Sequence, residues 1–265
     1  MEGEKKRRLV LIHGAYHGAW CWYKVSTLLN SAGLQVTSLD MPASGIDPKQ
    51  VLDITSVSEY VEPLFQFLRS LPAEERVILV GHSFGGLCIS LAMESFPHKI
   101  AAAVFLTGWM PGPHLSYLSL MQEFKHRLSL KFNLGAKTVS DENTNSDDPK
   151  PYMTCDLQNL ASNVYQQSPP EDLTLAFSLL RPFPIFGDED LRENTQLTEE
   201  KHGTVARVYI VCEQDKIMEQ DFQVSIVERN PPNEVKVIAG ADHMPMLSKP
   251  QELFSYLQQI ADNYY

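Results

Sequence analysis

Gly81-His82-Ser83-Phe84-Gly85-Gly86 is the stretch of sequence that decides the fold, because of what stands on either side of it. Residues 76–80 form a mostly apolar run rich in β-branched side chains and predict a buried strand, and residues 87–94 predict a helix. A turn this tight needs glycines, since side chains would not fit beside the serine hydroxyl. The pattern therefore predicts that Ser83 is a nucleophile exposed at a strand-to-helix turn. The alternative is a structural glycine turn that happens to carry a serine.

A nucleophilic serine needs a general base, and the base needs a group to orient it. Both follow later in the chain, in the order Ser, acid, His that accompanies this kind of turn. Predicted strands near 205–212 and 234–238 are followed by Asp215 and His243, respectively. Open α/β sheets place their chemistry in loops at these strand ends. We therefore predict Ser83 as the nucleophile, His243 as the general base and acid, and Asp215 as the carboxylate that orients the imidazole.

Other polar residues near these positions offer alternatives. Glu213 lies nearer the strand end and could replace Asp215 as the orienting group. Asp242 precedes His243 directly, but neighbours in a loop usually point apart, so we assign it a structural role in the turn. Four further histidines stand in polar, loop-like sequence surroundings and are expected to have no catalytic role: His98, His114, His126 and His202.

The turn after the first predicted strand supplies the third part of the site. Residues 8–13 predict a core strand that ends in His13-Gly14. Such a turn donates a second backbone N–H to a developing oxyanion, so the predicted donors are the amides of Ala15 and Phe84. One such donor is worth about 2.7–4 kcal/mol in the transition state. The alternative is that His13-Gly14 merely turns the chain. The residues predicted to form the substrate pocket are Gly14, His13, Tyr16, His82, Met244, Trp109 and Phe132.

Composition narrows the function classes. The chain has 265 residues, 43% hydrophobic and 21% charged, which is ordinary for a globular protein with a sizeable core. Its formal net charge of −11 would repel nucleic acid. No apolar run approaches a membrane span and no signal-peptide series opens the sequence, so we expect no membrane association and no secretion. The four cysteines lack metal-ligand or disulfide-framework spacing, which fits a reducing cytoplasm; we expect no metal and no organic cofactor.

Strand and helix patterns alternate along most of the chain. This alternation predicts an α/β fold with a mostly parallel central sheet flanked by helices on both faces. The predicted strands lie near 8–13, 35–40, 76–81, 100–107, 205–212 and 234–238, and the helices near 19–32, 56–70, 84–96, 218–229 and 249–263. Residues 111–203 interrupt the alternation. We therefore expect a core in two parts, 1–110 and 204–265, with 111–203 inserted between them as a cap over the active site.

These segments together resemble the plant methylesterase and hydroxynitrile lyase family of α/β-hydrolases. The resemblance spans nearly the whole chain and is weakest across 114–160. It implies the α/β-hydrolase fold and places the chain in the methylesterase branch, with salicylate methylesterases and polyneuridine aldehyde esterase. The matching segments are Val10–Ala15, His17–Lys24, Ala43–Ile46, Val77–Gly86, Pro170–Leu173, Val208–Cys212 and Gly240–Met244.

Individual residues separate the chemistries within that family. Hydroxynitrile lyases carry Thr, Glu and Lys at the positions of Gly14, His82 and Met244, and none of the three is present here. A methylketone-forming branch, which decarboxylates 3-keto acids, has lost the serine and the triad acid. This chain keeps both, as Ser83 and Asp215. The resemblance therefore implies an esterase.

The implied activity is a serine carboxylesterase that hydrolyses methyl esters of small apolar plant metabolites through an acyl-enzyme. The substrates would be hormone esters or alkaloid carbomethoxy groups, and Phe84 after the nucleophile is similar to the alkaloid-esterase version of the motif. The alternatives are a non-hydrolytic decarboxylase or lyase, or a ligand-binding receptor on the same scaffold. The implied partner is a small-molecule ester, and relatives are often homodimers.

Overall fold

The structure, a computed structural model, describes residues 7–131, 137–139 and 151–265. A six-stranded sheet lies at its centre, in the strand order β2-β1-β3-β4-β8-β9, and a small sheet has the order β5-β6-β7. The strands are β1 Arg8–Ile12, β2 Gln35–Leu39, β3 Val77–His82, β4 Ile100–Leu106, β5 Lys137–Val139, β6 Tyr152–Thr154, β7 Phe183–Pro184, β8 Arg207–Cys212 and β9 Glu234–Ile238.

Every strand pair in the central sheet is parallel. The central strands are continuous apolar runs buried on both faces, as parallel sheets require. Strand β1 pairs with β2 on one side and β3 on the other, so Ile12 lies opposite both Leu39 and Gly81. The chain thus reverses direction across the sheet between β1 and β3, and the carboxyl ends of these strands open a crevice there. The predicted α/β fold with a parallel central sheet is confirmed.

Helices cover both faces of the sheet. Alternate residues of a strand point to opposite faces; Val10 and Ile12 pack in one apolar cluster with α2, α3 and α8, and Leu9 and Leu11 pack in another with α1 and α10. The helices are α1 Tyr23–Ser31, α2 Val57–Ser70, α3 Gly85–Ser95, α4 Tyr117–Lys131, α5 Leu157–Asn163, α6 Pro170–Leu179, α7 Asp188–Asn194, α8 Gln220–Arg229, α9 Pro245–Ser248 and α10 Pro250–Tyr264. None of the helices in the described part of the chain combines the length and the apolar character needed to cross a membrane.

Helix α2 illustrates how the sequence sets these elements. The Ser56 side chain accepts a hydrogen bond from the Glu59 backbone N–H (3.1 Å), which caps the first turn. Its buried residues recur with the spacing of one helix face and pack against the sheet: Val57, Tyr60, Val61, Leu64 and Leu68.

The stretch from 111 to 203 contains α4 to α7 and the small antiparallel sheet of β5, β6 and β7. Two buried carboxylates tie it to the rest of the molecule. Asp172 accepts hydrogen bonds from the Tyr23 hydroxyl (2.7 Å) and the Lys24 ammonium (2.5 Å) of α1. Asp242 accepts one from the backbone N–H of Gln167 (2.9 Å). Asp242 therefore has the structural role that its position before His243 predicted.

His202 stands in polar, loop-like sequence surroundings but is not solvated in the structure. Its side chain is fully buried, because the turn His202–Thr204 packs on the end of α3, where the His202 N–H contacts Glu94 (3.4 Å). Neither ring nitrogen has a hydrogen-bond partner among the described residues. Burial, together with nearby Arg207, lowers the pKa of His202 to about 4.

Candidate active site

Ser83 sits directly after β3 in a strained backbone conformation. Its φ of 51° lies in the left-handed region, where a residue with a side chain is uncommon. The flanking glycines make this turn physically feasible. A Cβ on Gly81 would lie 2.5 Å from the Gly85 carbonyl oxygen, and one on Gly85 would lie 2.6 Å from that of Ile12. The glycines around Ser83 therefore let β3, α3 and the end of β1 approach one another closely.

His243 and Asp215 form a buried pair. His243 follows β9 and Asp215 follows β8, and the distance from His243 Nδ1 to Asp215 Oδ2 is 2.7 Å. Both side chains are almost fully buried. Because a carboxylate can only accept, His243 donates Nδ1–H and keeps the lone pair on Nε2. Glu213, the alternative orienting group, is exposed and accepts from the Gly240 N–H (3.0 Å) instead.

The Asp215 carboxylate is held by more than the histidine. Its Oδ2 also accepts from the Thr107 hydroxyl (2.5 Å), and its Oδ1 accepts from the backbone N–H groups of Ile217 (2.7 Å) and Met218 (2.9 Å). Four donors thus surround one buried negative charge, which fixes the carboxylate plane and with it the His243 ring. Sequence analysis did not identify Thr107; its position after β4 was the available signal.

Hydrogen bonds of the His13 side chain hold the loop after β1 in place. His13 donates from Nδ1 to the Gly14 carbonyl (2.8 Å) and accepts at Nε2 from the Met41 N–H (3.1 Å). A Cβ on Gly14 would lie 2.9 Å from both His82 Nδ1 and Ser83 Cβ, so this loop passes directly over the serine turn. Phe84 is the N-cap residue of α3. The predicted oxyanion donors, the Ala15 and Phe84 amides, therefore belong to two segments that meet at Ser83.

Two further histidines flank this centre. His82 donates from Nε2 to the His243 backbone carbonyl (2.7 Å), and burial holds its pKa well below 6.5. His17, which sequence analysis did not assign to the pocket, donates from Nδ1 to the Ala15 carbonyl (2.7 Å) and accepts at Nε2 from the Tyr165 hydroxyl. Burial lowers the pKa of His17 to about 3. Both rings are therefore neutral, and their hydrogen bonds hold the segments around the site in place.

A cavity of about 310 Å³ opens at these residues. Its walls are mostly apolar and aromatic, and the stretch 111–203 contributes about half of them. They comprise Gly14, Ala15, Tyr16, His17, His82, Ser83, Phe84, Trp109, Tyr117, Met121, Phe124, Lys125, Met153, Cys155, Asn159, Leu160, Val164, Phe183, Ile217, Met218 and His243. Ser83 and His243 thus line the same mostly apolar cavity.

The predicted pocket residues are only partly brought together there. Gly14, Tyr16, His82 and Trp109 line the cavity. His13 and Met244 do not: both are fully buried behind its wall, His13 in its two hydrogen bonds and Met244 in the apolar cluster beneath α1 and α10. Phe132 lies outside the described residues.

No group of three or more His, Cys, Asp or Glu side chains within 7–131, 137–139 and 151–265 is arranged to hold a metal ion. The chemistry the described residues can perform is that of a serine hydroxyl beside a histidine–carboxylate pair in an apolar chamber. Such a chamber strengthens electrostatic interactions and suits acyl transfer.

The family model of the alpha/beta hydrolase family matches residues 9–255, and the chain belongs to that family. Within it, the chain is similar to plant methylesterases. It is 48% identical to methyl jasmonate esterase 1 of Vitis vinifera, over 98% of this chain and 99% of that protein.

Solved structures agree with this placement. Tomato methylketone synthase I, complexed with 2-tridecanone, is 45% identical with a TM-score of 0.89, covering 98% of this chain and 99% of that chain. Polyneuridine aldehyde esterase is 38% identical with a TM-score of 0.92, covering 97% of this chain and 100% of that chain. The resemblance stated from the sequence is thereby confirmed.

Proposed function

We propose that this protein is a serine carboxylesterase that hydrolyses methyl esters of small apolar carboxylic acids. The observation that carries the proposal is that Ser83 and His243, the latter held by Asp215, both line a cavity whose walls are mostly apolar. The named methylesterases among its relatives support ester hydrolysis as the chemistry.

The mechanism follows from the hydrogen-bond pattern. His243 Nε2 accepts the proton of Ser83 as the serine oxygen attacks the ester carbonyl carbon, and Asp215 stabilises the imidazolium that forms. The amides of Ala15 and Phe84 donate to the carbonyl oxygen as it becomes negative. The tetrahedral intermediate collapses when His243 protonates the departing methoxide, which releases methanol. Water then attacks the acyl-enzyme while His243 accepts its proton. His243 returns that proton to the Ser83 oxygen as the carboxylic acid is released.

The cavity limits the acyl group. A volume of about 310 Å³ lined by aromatic and methionine side chains favours an apolar acid of modest size. Methyl esters of plant hormones and carbomethoxy groups of alkaloids both fit this description. The phenyl ring of Phe84 packs against Phe183 (ring centroids 4.8 Å apart) and Tyr60 (5.5 Å), so it shapes the pocket directly beside the nucleophile.

We also propose a domain organisation and a cellular location. Residues 111–203 act as a cap over the active site formed by the two core segments, 1–110 and 204–265. All four cysteines are free, which suits a cytoplasmic location. The homodimer implied by the family resemblance stays a prediction.

The test is product analysis by mass spectrometry on methyl salicylate, methyl jasmonate, methyl indole-acetate and an alkaloid 3-oxo methyl ester. Wild type runs beside Ser83→Ala and a matched control, Ser255→Ala, which removes an exposed hydroxyl on α10. We expect methanol and free acid from wild type and Ser255→Ala but not from Ser83→Ala. Turnover by Ser83→Ala would refute the acyl-enzyme. Loss of carbon dioxide from a free 3-keto acid, with every ester untouched, would show a decarboxylase instead.

A further inference from the structure

One face of α4 lines the substrate cavity. Its four contributing residues, Tyr117, Met121, Phe124 and Lys125, are spaced as neighbours along one side of a helix. The first three are apolar or aromatic, and Lys125 is an exposed, charged residue of the same wall. Among the described residues that line the cavity, Lys125 is the one Lys, Arg, Asp or Glu, and burial lowers the pKa of both His17 and His82.

Lys125 forms no ion pair with any residue in the described part of the chain. The residues three and four positions away on either side carry no acidic group, so the helix offers no partner of its own. The nearest carboxylate in sequence, Glu123, is already shared between Arg127 (2.9 Å) and Arg229 (2.9 Å). The Lys125 ammonium is therefore available to a ligand.

The helix also sets the distance between Lys125 and the reacting end of the cavity. The Tyr117 ring contacts Phe84, whose backbone follows the nucleophile directly (centroids 6.1 Å apart). Lys125 comes eight residues after Tyr117, which is about 12 Å along the helix axis. Because long side chains on a helix lean toward its N-terminus, the separation of the ammonium from Tyr117 along the axis is somewhat shorter than that.

We propose that Lys125 binds a carboxylate at the far end of the acyl group, so that the enzyme favours methyl half-esters of dicarboxylic acids over neutral esters of equal length. The inference rests on the esterase activity proposed above. Because the net charge of −11 disfavours an anionic ligand overall, a carboxylate in this cavity needs a local cation, and Lys125 supplies one. The intervening wall of Met121 and Phe124 matches an apolar spacer between the ester and the carboxylate.

The experiment compares kcat/KM for monomethyl adipate, suberate and sebacate with that for methyl hexanoate, octanoate and decanoate. For each chain length the ratio of half-ester to neutral ester isolates the carboxylate. We expect the best wild-type ratio to fall about fivefold in Lys125→Met, the upper end for an exposed ion pair, and to be kept in Lys125→Arg. Raising the salt to about 0.5 M should reduce the wild-type ratio, because salt screens exposed charges.

The matched control is Lys201→Met, which removes the same charge beside Glu94 near the end of α3, outside the cavity. An equal fall of the ratio in Lys201→Met, or an unchanged ratio in Lys125→Met, would overturn the assignment while the neutral esters still report on esterase activity. If no ester is turned over, the proposed function fails separately. Calorimetric titration of Ser83→Ala with monomethyl suberate then decides on Lys125: binding weakened about fivefold by adding Lys125→Met supports the carboxylate site, and equal binding refutes it.

Discussion

Replacing Asp215 by asparagine should abolish catalysis by changing which nitrogen of His243 carries the proton. The four donors around the carboxylate dictate this outcome. An amide –NH₂ in place of Oδ1 would oppose the two backbone N–H groups of Ile217 and Met218, so the asparagine oxygen must stay there. The –NH₂ then takes the place of Oδ2, facing Thr107 and His243. The Thr107 hydroxyl can rotate and accept, but His243 must move its proton to Nε2 to present a lone pair at Nδ1.

With its proton on Nε2, His243 has no lone pair to receive the proton of Ser83. The equivalent carboxylate-to-amide change in a serine protease lowers kcat about 10⁴-fold for this reason. We expect the same magnitude here, roughly 5.5 kcal/mol of transition-state stabilisation. The substrate KM should change little, because Asp215 does not line the cavity.

The assay is steady-state hydrolysis of the best methyl ester, with the rate of Ser83 labelling by a fluorophosphonate as a second measure of nucleophilicity. Both should fall together in Asp215→Asn. The matched control is Glu213→Gln, which changes the neighbouring exposed carboxylate and should leave kcat within about threefold of wild type. If Asp215→Asn kept more than a tenth of the wild-type kcat, or if Glu213→Gln showed the large loss, the tautomer argument would be refuted.

Three further predictions concern stability and are measured by urea unfolding. The pKa of His202 is about 4 in the folded state and 6.5 in the unfolded state, so the unfolded state binds the proton more tightly. The free energy of unfolding is therefore highest above pH 6.5 and decreases as the pH falls from 6.5 toward 4. His202→Leu should therefore lose about 2 kcal/mol less than wild type between pH 7 and pH 5; parallel losses would contradict this. Gly86→Ala should cost about 3 kcal/mol, because its Cβ would lie 2.3 Å from the Trp109 carbonyl oxygen; wild-type stability would show that this backbone can move. Asp242→Asn should cost about 2 kcal/mol, because an NH₂ group then faces the backbone N–H of Gln167 or of Met244 and cannot accept from it; wild-type stability would contradict this.

The inner strands of the central sheet were predictable because each is a short, mostly apolar run, whereas the edge strands β2 and β9 mix polar and apolar residues. The strand predicted near 205–212 is Arg207–Cys212, and the one near 76–81 is Val77–His82. Burial on both faces demands this kind of run, so the pattern is strong. The positions of Ser83, Asp215 and His243 after strand ends were predictable for the same reason, because the sheet sets where each strand ends.

Side-chain direction was not predictable from position in a loop. His13 and Met244 occupy the right loops, but both point into the interior, and only three-dimensional packing distinguishes them from Gly14 or Tyr16. The cavity wall supplied by α4 posed a different difficulty. Met121 and Phe124 belong to a long insertion whose placement over the strand ends depends on distant contacts such as Asp172 with Lys24.

The choice of a single base among four neighbouring histidines follows from their partners. His13, His17 and His82 all hydrogen-bond to backbone carbonyls, and burial lowers the pKa of each. A carbonyl oxygen carries only a partial charge and cannot offset the cost of burying an imidazolium. Of these four histidines, only His243 contacts a carboxylate. When His243 takes the proton of Ser83, the negative charge of Asp215 stabilises the imidazolium that forms. Converting His82 or His17 into an efficient base would therefore require a new buried carboxylate beside its ring.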